Sequence, residues 1–334
     1  MKSVYSRGGM WAGLLALGLA SGSGSAPAFI DTSMFPGNAS VQKPSVTAGN
    51  SHYVYVYDDL TNRLFVFDRA GKLLHTVGRT GPGPGEFYHA TGLEASDSVV
   101  TVYDRWNRRV ELFSPEGQFR AEFPAPSNSR AFAADGNGRV YINDPQQGHL
   151  ISVYDSSGKN TANFGELTTV SALYQTKDTS RDAALRLQAN RVWLATDKEG
   201  NVYASYVIAP VIRKYDRNGH LAFERFIQGA EADSLRNIFW HVRSGEKLLS
   251  SPFDGTQVDY ITKAVMADSS VGRVYVLGGI EALFEFDSNG NQVRVLPIKR
   301  NHGGQILHSS LSEHTVLFTV VFQTGLYEAR IPAP

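Results

Sequence analysis

The side chains best suited to proton or metal chemistry in this sequence are nine histidines: His52, His75, His89, His149, His220, His241, His302, His308 and His314. Imidazole near neutral pH both ligates metals and moves protons. Spacing decides whether such groups cooperate, and no H-x-H or H-x-x-x-H pair brings two rings together locally. Cysteine is absent, which removes disulfides, thiolate metal sites, cysteine nucleophiles and cysteine-linked lipid anchors. No G-x-S-x-G turn marks a serine nucleophile. The glycine-rich stretch from Gly78, GRTGPGPG, resembles a phosphate loop in composition only, because no Lys-Ser/Thr pair and no helix start follow it. Glu86 and Asp104 are carboxylates near one another in sequence, yet nothing places them in one cleft. The chemistry read this way implies no cofactor, no bound metal and no catalytic residue, and points to binding more than to catalysis.

What must position these residues follows from the rest of the chain. Its 334 residues are 42% hydrophobic and 19% charged, an ordinary globular balance. Lys+Arg and Asp+Glu are 32 each, so nothing in the net charge favours nucleic acid. Residues 1–28 read as a signal peptide. Lys2 and Arg7 give a positive start, Met10 to Ala20 is an apolar run, and Ala26-Pro27-Ala28 fits an A-x-A cleavage site. The apolar run would rise about 16 Å as a helix, short of the ~30 Å hydrocarbon core, which favours cleavage over a retained anchor. The expected location is therefore periplasmic or extracellular, where a chain without thiols cannot mispair.

From Tyr53 onward one unit recurs: an apolar strand, a polar turn, a strand ending in an aromatic residue, a turn with glycine, and a further strand. Copies begin at Tyr53, Val100, Val140, Val202 and Val274, and a sixth runs over residues 305–331. The turn glycines Gly71, Gly117, Gly158, Gly219 and Gly290 are 46, 41, 61 and 71 residues apart. The first two spacings fit one four-stranded propeller blade of about 40–50 residues. An apolar strand before each unit, such as Gly92-Leu93-Glu94-Ala95, supplies the fourth. The expected fold is all-β: a six-bladed β-propeller with four-stranded antiparallel blades. Blades fall near residues 41–78, 90–123, 129–165, 190–227, 263–298 and 302–332. The last blade ends one strand short, and an open edge invites aggregation. The spacing therefore predicts that residues 29–35 add its outermost strand.

Two segments make the repeat specific. Gly78, Gly81, Gly83, Pro84, Gly85, Glu86, Phe87, Gly92 and Leu93 follow the inter-blade pattern G-x-x-G-x-G-P-G-E-F-x-x-P-x-G-[IL], with Ala90 in place of the proline. Asp104, Asn107, Arg109, Val110 and Phe113 match V-A-D-x-x-N-x-R-[IV]-x-V-F. On these residues the chain resembles NHL-repeat propellers of the exported bacterial type, specifically over about residues 52–123. The resemblance implies that Phe87 plugs the gap between neighbouring blades and that Glu86 is a connection residue. Asp104 and Arg109 read as a cross-strand pair contributing ~0.2–1 kcal/mol. Related lyases and lactonases carry metal ligands around the central channel. His302, His308 and His89 lie beside inner strands, so a metal-dependent lyase or lactonase remains open.

Two long insertions carry the functional expectation. In residues 166–190, Thr179 to Gln188 has helical spacing; in residues 228–263, Asp233 is placed to cap a helix over Ser234 to Arg243. Leu235, Ile238, Phe239 and Val242 fall on one face of that helix, turning Arg236 and Trp240 toward solvent or a partner. Propeller geometry brings every inter-blade connection to one face, and long ordered loops are commonly functional. The expected binding surface is Tyr174, Arg181, Phe239, Trp240, His241, Arg243 and Phe253, taking a protein partner such as the exposed face of a membrane complex. A glycan is the third reading.

Overall fold

The computed structural model describes residues 30–125, 131–241, 261–279, 281–299, 305–321 and 325–332. The segment 1–28 read as a leader lies outside the described residues. Two short N-terminal strands, β1 (Ile30–Asp31) and β2 (Ser33–Met34), precede six sheets. Blade one is β3 (Pro44–Gly49), β4 (Tyr53–Asp58), β5 (Arg63–Asp68) and β6 (Leu73–Val77). Blade two is β7 (Ala90–Ala95), β8 (Val100–Asp104), β9 (Arg109–Phe113) and β10 (Phe119–Pro124). Blade three is β11 (Phe132–Ala134), β12 (Val140–Asn143), β13 (Ile151–Tyr154) and β14 (Asn160–Phe164). After a short helix α1 (Val170–Leu173), blade four is β15 (Val192–Thr196), β16 (Val202–Tyr206), β17 (Val211–Tyr215) and β18 (Leu221–Phe226). Helix α2 (Ala230–His241) leads to blade five: β19 (Thr262–Asp268), β20 (Arg273–Gly278), β21 (Ala282–Asp287) and β22 (Gln292–Lys299). Blade six is β23 (Gln305–Ser312), β24 (Thr315–Val321) and β25 (Gly325–Arg330).

Every blade is antiparallel, and its first strand packs on the first strands of both neighbours, closing the ring from β23 to β3. The middle strands of a blade are the most buried and the outermost the least: β8 and β9 of blade two are wholly buried, whereas β6 and β14 expose nearly every residue. The core therefore lies between the faces of adjacent sheets, as radial packing of twisted sheets requires.

The N-terminus closes the sixth blade. Ser33 and Met34 pair antiparallel with Glu328 and Tyr327 of β25, completing four strands. The segment also does something the repeat did not announce. Ile30 and Asp31 pair parallel with Ile298 and Lys299 of β22, so the same few residues stitch blade five as well.

The turn glycines explain how blades seat on one another. Gly71, Gly117, Gly158, Gly219 and Gly290 have φ between 81° and 85°, which a residue with a Cβ rarely adopts. A Cβ on Gly158 would also lie 2.5 Å from Cβ of Phe123, on the outer strand of the preceding blade. Gly219 meets Phe164, and Gly290 meets Phe223, in the same way. Gly71 meets Pro36, so the N-terminal segment takes the position of a preceding blade's outer strand. The turn aspartates Asp68, Asp155, Asp216 and Asp287 each accept two backbone N–H bonds across the turn. This is the physical content of the D-x-x-G and D-x-N-G pattern.

Candidate functional site

The GPGPGEF stretch is held by one guanidinium. Arg109, with its side chain 8% exposed, donates to the carbonyls of Pro82 (2.8 Å), Gly83 (2.8 Å) and Glu86 (2.5 Å). It also bonds Glu122 at 2.7 Å and stands 3.4 Å from both Asp104 and Glu111. The expectation of a weak cross-strand pair needs correcting here: Asp104 and Glu111 are fully buried, and Arg109 is the hub of an internal network. The difference arises because the inter-blade connection folds over the hairpin and removes it from water. Burial pushes the Glu111 carboxyl up to about 7, although the Gly85 N–H and Arg109 pull it back. Phe87 is fully buried between Tyr57 and Phe113, with ring centroids 5.8 Å from each, as the inter-blade plug.

This connection presents an aromatic cluster outward. Trp106, in the β8–β9 turn, is 55% exposed and lies edge-on to Tyr88 at 4.9 Å. His89 sits 4.8 Å from the indole, in the left-handed region (φ 60°), with its Nδ1 on the Asp59 carboxylate. Burial would raise Asp59, but hydrogen bonds from His89 and Lys43 outweigh it and hold the group below its ordinary value. Leu60, in the β4–β5 turn, is exposed on the same face.

The two insertions emerge on this face. Thr169 caps α1 through the Ala172 N–H (3.2 Å), and Asp182 accepts from the N–H (2.8 Å) and hydroxyl (2.6 Å) of Ser171. The buried Asn190 side chain ties Thr168 and Arg186 together. The helix expected over Thr179 to Gln188 is replaced by successive turns and a 3-10 turn over Gln188–Asn190. Side chains that bind backbone or the neighbouring turn compete with the helical ladder, and Asp182 and Asn190 both do so. Helix α2 begins at Ala230, before the cap expected at Asp233; Glu231 and Asp233 instead occupy its first turn, where carboxylates suit the dipole. Ala232 and Leu235 pack into the core of the ring. Arg236, expected to face outward, donates to the Ile227 carbonyl (3.2 Å) and Asp233 (3.3 Å).

Of the expected binding residues, Tyr174 is half-buried against the core and donates its hydroxyl to Ile208 (2.5 Å), so it anchors the insertion to blade four. Arg181 is half-buried in the succession of turns. Phe239, Trp240 and His241 end α2; their side chains, and Arg243 and Phe253, lie outside the described residues. Trp106 and Tyr88 escaped the sequence reading, although a tryptophan inside the polar turn DRWNRR is an available signal.

The second region is the central channel. A cavity of about 940 Å³ is lined by all six inner strands and the turns that follow them. It therefore opens on the face opposite the insertions. Glu94 of β7, Lys263 and Asp268 of β19 and His308 of β23 are the titratable groups that the inner strands contribute to its wall. Burial pushes Glu94 up to about 8 and His308 down to about 4, so both are largely uncharged at neutral pH. His308 Nδ1 accepts from the Thr47 N–H at 3.4 Å. Of the other described histidine side chains, His75 bonds the Glu116 carbonyl, His149 Ser152, His220 Asp216 and His314 Asp268, and His52 lies against the Tyr53 ring. His302 lies outside the described residues. Among the described residues no group of three or more metal-ligating side chains converges.

Residues 42–149 match a family model described as "DUF5128: 6-bladed beta-propeller". No curated protein matches the chain. Among solved structures, a streptogramin B lyase aligns over 91% of this chain and 88% of its own, with 10% identity and a TM-score of 0.49. A selenomethionine-substituted virginiamycin B lyase from Staphylococcus aureus aligns over 84% and 77%, with 13% identity and a TM-score of 0.47. A catalytically inactive variant of that lyase from Staphylococcus aureus, with quinupristin, aligns over 86% and 80%, with 13% identity and a TM-score of 0.51. At such identity the last of these speaks for fold alone.

Proposed function

On this six-bladed ring we propose an exported, non-catalytic binding module whose protein partner docks on the face bearing the inter-blade insertions. The observation that carries the reading is Trp106, an exposed tryptophan packed against Tyr88 and His89 on the face where both insertions emerge. Tryptophan and tyrosine dominate interface energetics, and an exposed pair preorganised by its neighbours costs little entropy to bury. The docking surface joins Trp106 and Tyr88 to Arg181, Phe239, Trp240, His241, Arg243 and Phe253, with Tyr174 as the anchor of its rim. The NHL-type repeat and the leader over residues 1–28 belong to the same reading, which puts the partner in the periplasm or outside the cell. No helix among the described residues is long and apolar enough to cross a membrane.

The test is chemical cross-linking and affinity capture from native membranes and soluble extract, comparing the parent with Trp106→Ala and Trp240→Ala. One partner species should be lost from each variant while thermal unfolding stays within about 0.5 kcal/mol of the parent, as for surface changes. Capture that is indifferent to both tryptophans rejects this surface. Retention of the variants' binding to a glycan array, with no protein captured, would replace the protein partner. N-terminal sequencing of exported material should begin near Phe29.

A further inference from the structure

The channel has features that the docking reading does not use. Each inner strand has one neighbour within its own blade, so its inward edge leaves backbone N–H and C=O groups facing the cavity. Such a wall must hold water or a polar ligand. The volume, about 940 Å³, suits a small molecule. Among the described residues Glu94 makes no hydrogen bond or ion pair, although it lines this cavity. Its carboxyl is raised by burial alone. Neither β3 nor β11, which pack beside β7, carries an ionisable side chain; β8 carries Tyr103 and Asp104, β4 carries Tyr53, Tyr55, Tyr57 and Asp58, and Asp97, Asp135, Lys263 of β19 and His308 of β23 line the same cavity. Of the two acids that the inner strands place in the wall, Asp268 is held by His314 and, among the described residues, Glu94 has no such partner.

We propose that the channel is a binding site for an organic cation, a primary or quaternary ammonium compound, with Glu94 as its counter-charge. A metal ion suits the site less well, because among the described residues no three ligating side chains converge. An ammonium group needs only one carboxylate, and the strand edges and His308 supply hydrogen bonds for the rest of the molecule. Binding is coupled to a proton. The Glu94 carboxylic acid gives its proton to solvent as the cation arrives, and the carboxylate then pairs with the ammonium charge; no covalent bond to the ligand forms or breaks.

Calorimetry of the full chain with spermidine and with choline, in two buffers of different ionisation enthalpy, tests this. About one proton should be released per ligand at pH 6.5, and affinity should rise at least about tenfold from pH 6 to pH 8.5. Glu94→Gln keeps the side-chain shape and should lose both the proton release and about tenfold in affinity at pH 8.5. Asp97→Asn at the exposed mouth should change affinity less than about twofold, because its charge is screened. Equal losses in the two variants would assign binding to the rim and overturn the proposal. So would failure of both cations to bind, or binding of glucose in their place without proton release. If Glu94→Gln does not fold, proton release by the parent decides the matter. Trp106→Ala leaves this binding intact, so the two surfaces fail or stand separately.

Discussion

Replacing Arg109 by methionine keeps an unbranched side chain of similar length and removes only the guanidinium. The structure sets the size of the effect. Three carbonyl bonds to the Pro82–Glu86 connection disappear, and Asp104, Glu111 and Glu122 lose their shared cation. Breaking a buried ionic network by removing one partner typically costs ~3–5 kcal/mol. Two features trim that figure: Asp104 retains its bonds from Asn107 (2.7 Å) and the Tyr88 N–H (3.0 Å), and Glu111 can take up a proton. A loss of about 3–4 kcal/mol is expected, or very roughly 6–15 °C in Tm for a domain of this class. The loss depends on pH with a definite sign. Glu111, already raised to about 7 beside Arg109, rises further without it, so the folded variant holds a proton that the unfolded chain releases. Its deficit is then smaller near pH 5 and grows as pH climbs through 7. Glu122→Gln supplies the contrast, because Glu122 is 37% exposed and its pair is worth under ~1 kcal/mol. Denaturant unfolding at pH 5 and 8 measures both. If Arg109→Met costs no more than Glu122→Gln, or if its deficit shrinks with rising pH, the network does not hold the connection as argued.

Two further expectations concern the ring itself. Phe87→Ala empties a fully enclosed site between blades one and two and should cost about 3–5 kcal/mol in equilibrium unfolding; a loss below about 1 kcal/mol would mean the blades close over the gap. Removing residues 30–35 behind a retained leader opens the edges of both β22 and β25, so unfolding should shift cooperatively for the whole domain. An unchanged thermal transition would show that the termini do not hold the ring.

Local patterning made the blades legible. Strand alternation, the aspartate–glycine turns and the spacing of about one blade are short-range properties, and they specify hairpins whatever surrounds them. Closure by the N-terminus was legible for a similar reason: a blade one strand short must recruit its fourth from somewhere. Other features belong to the assembled ring. That Ile30 and Asp31 reach blade five, and that Gly158 seats on Phe123, depend on which sheets become neighbours.

The candidate site divides along the same line. The insertions and their aromatic residues were readable as departures from the repeat. The helix expected at Thr179 was not, because Asp182 and Asn190 find partners that only the folded connection brings near. Trp106 reads as one residue of a turn until Tyr88 and His89 arrive from the preceding connection. Glu94 reads as one polar residue in an apolar strand until six strands enclose it. By itself the order of residues determined the hairpins, their number and the open edge that the N-terminus fills. Only the tertiary structure decided which charges leave water, because desolvation is set by neighbours far along the chain, and Arg109, Glu111 and Glu94 owe their properties to that.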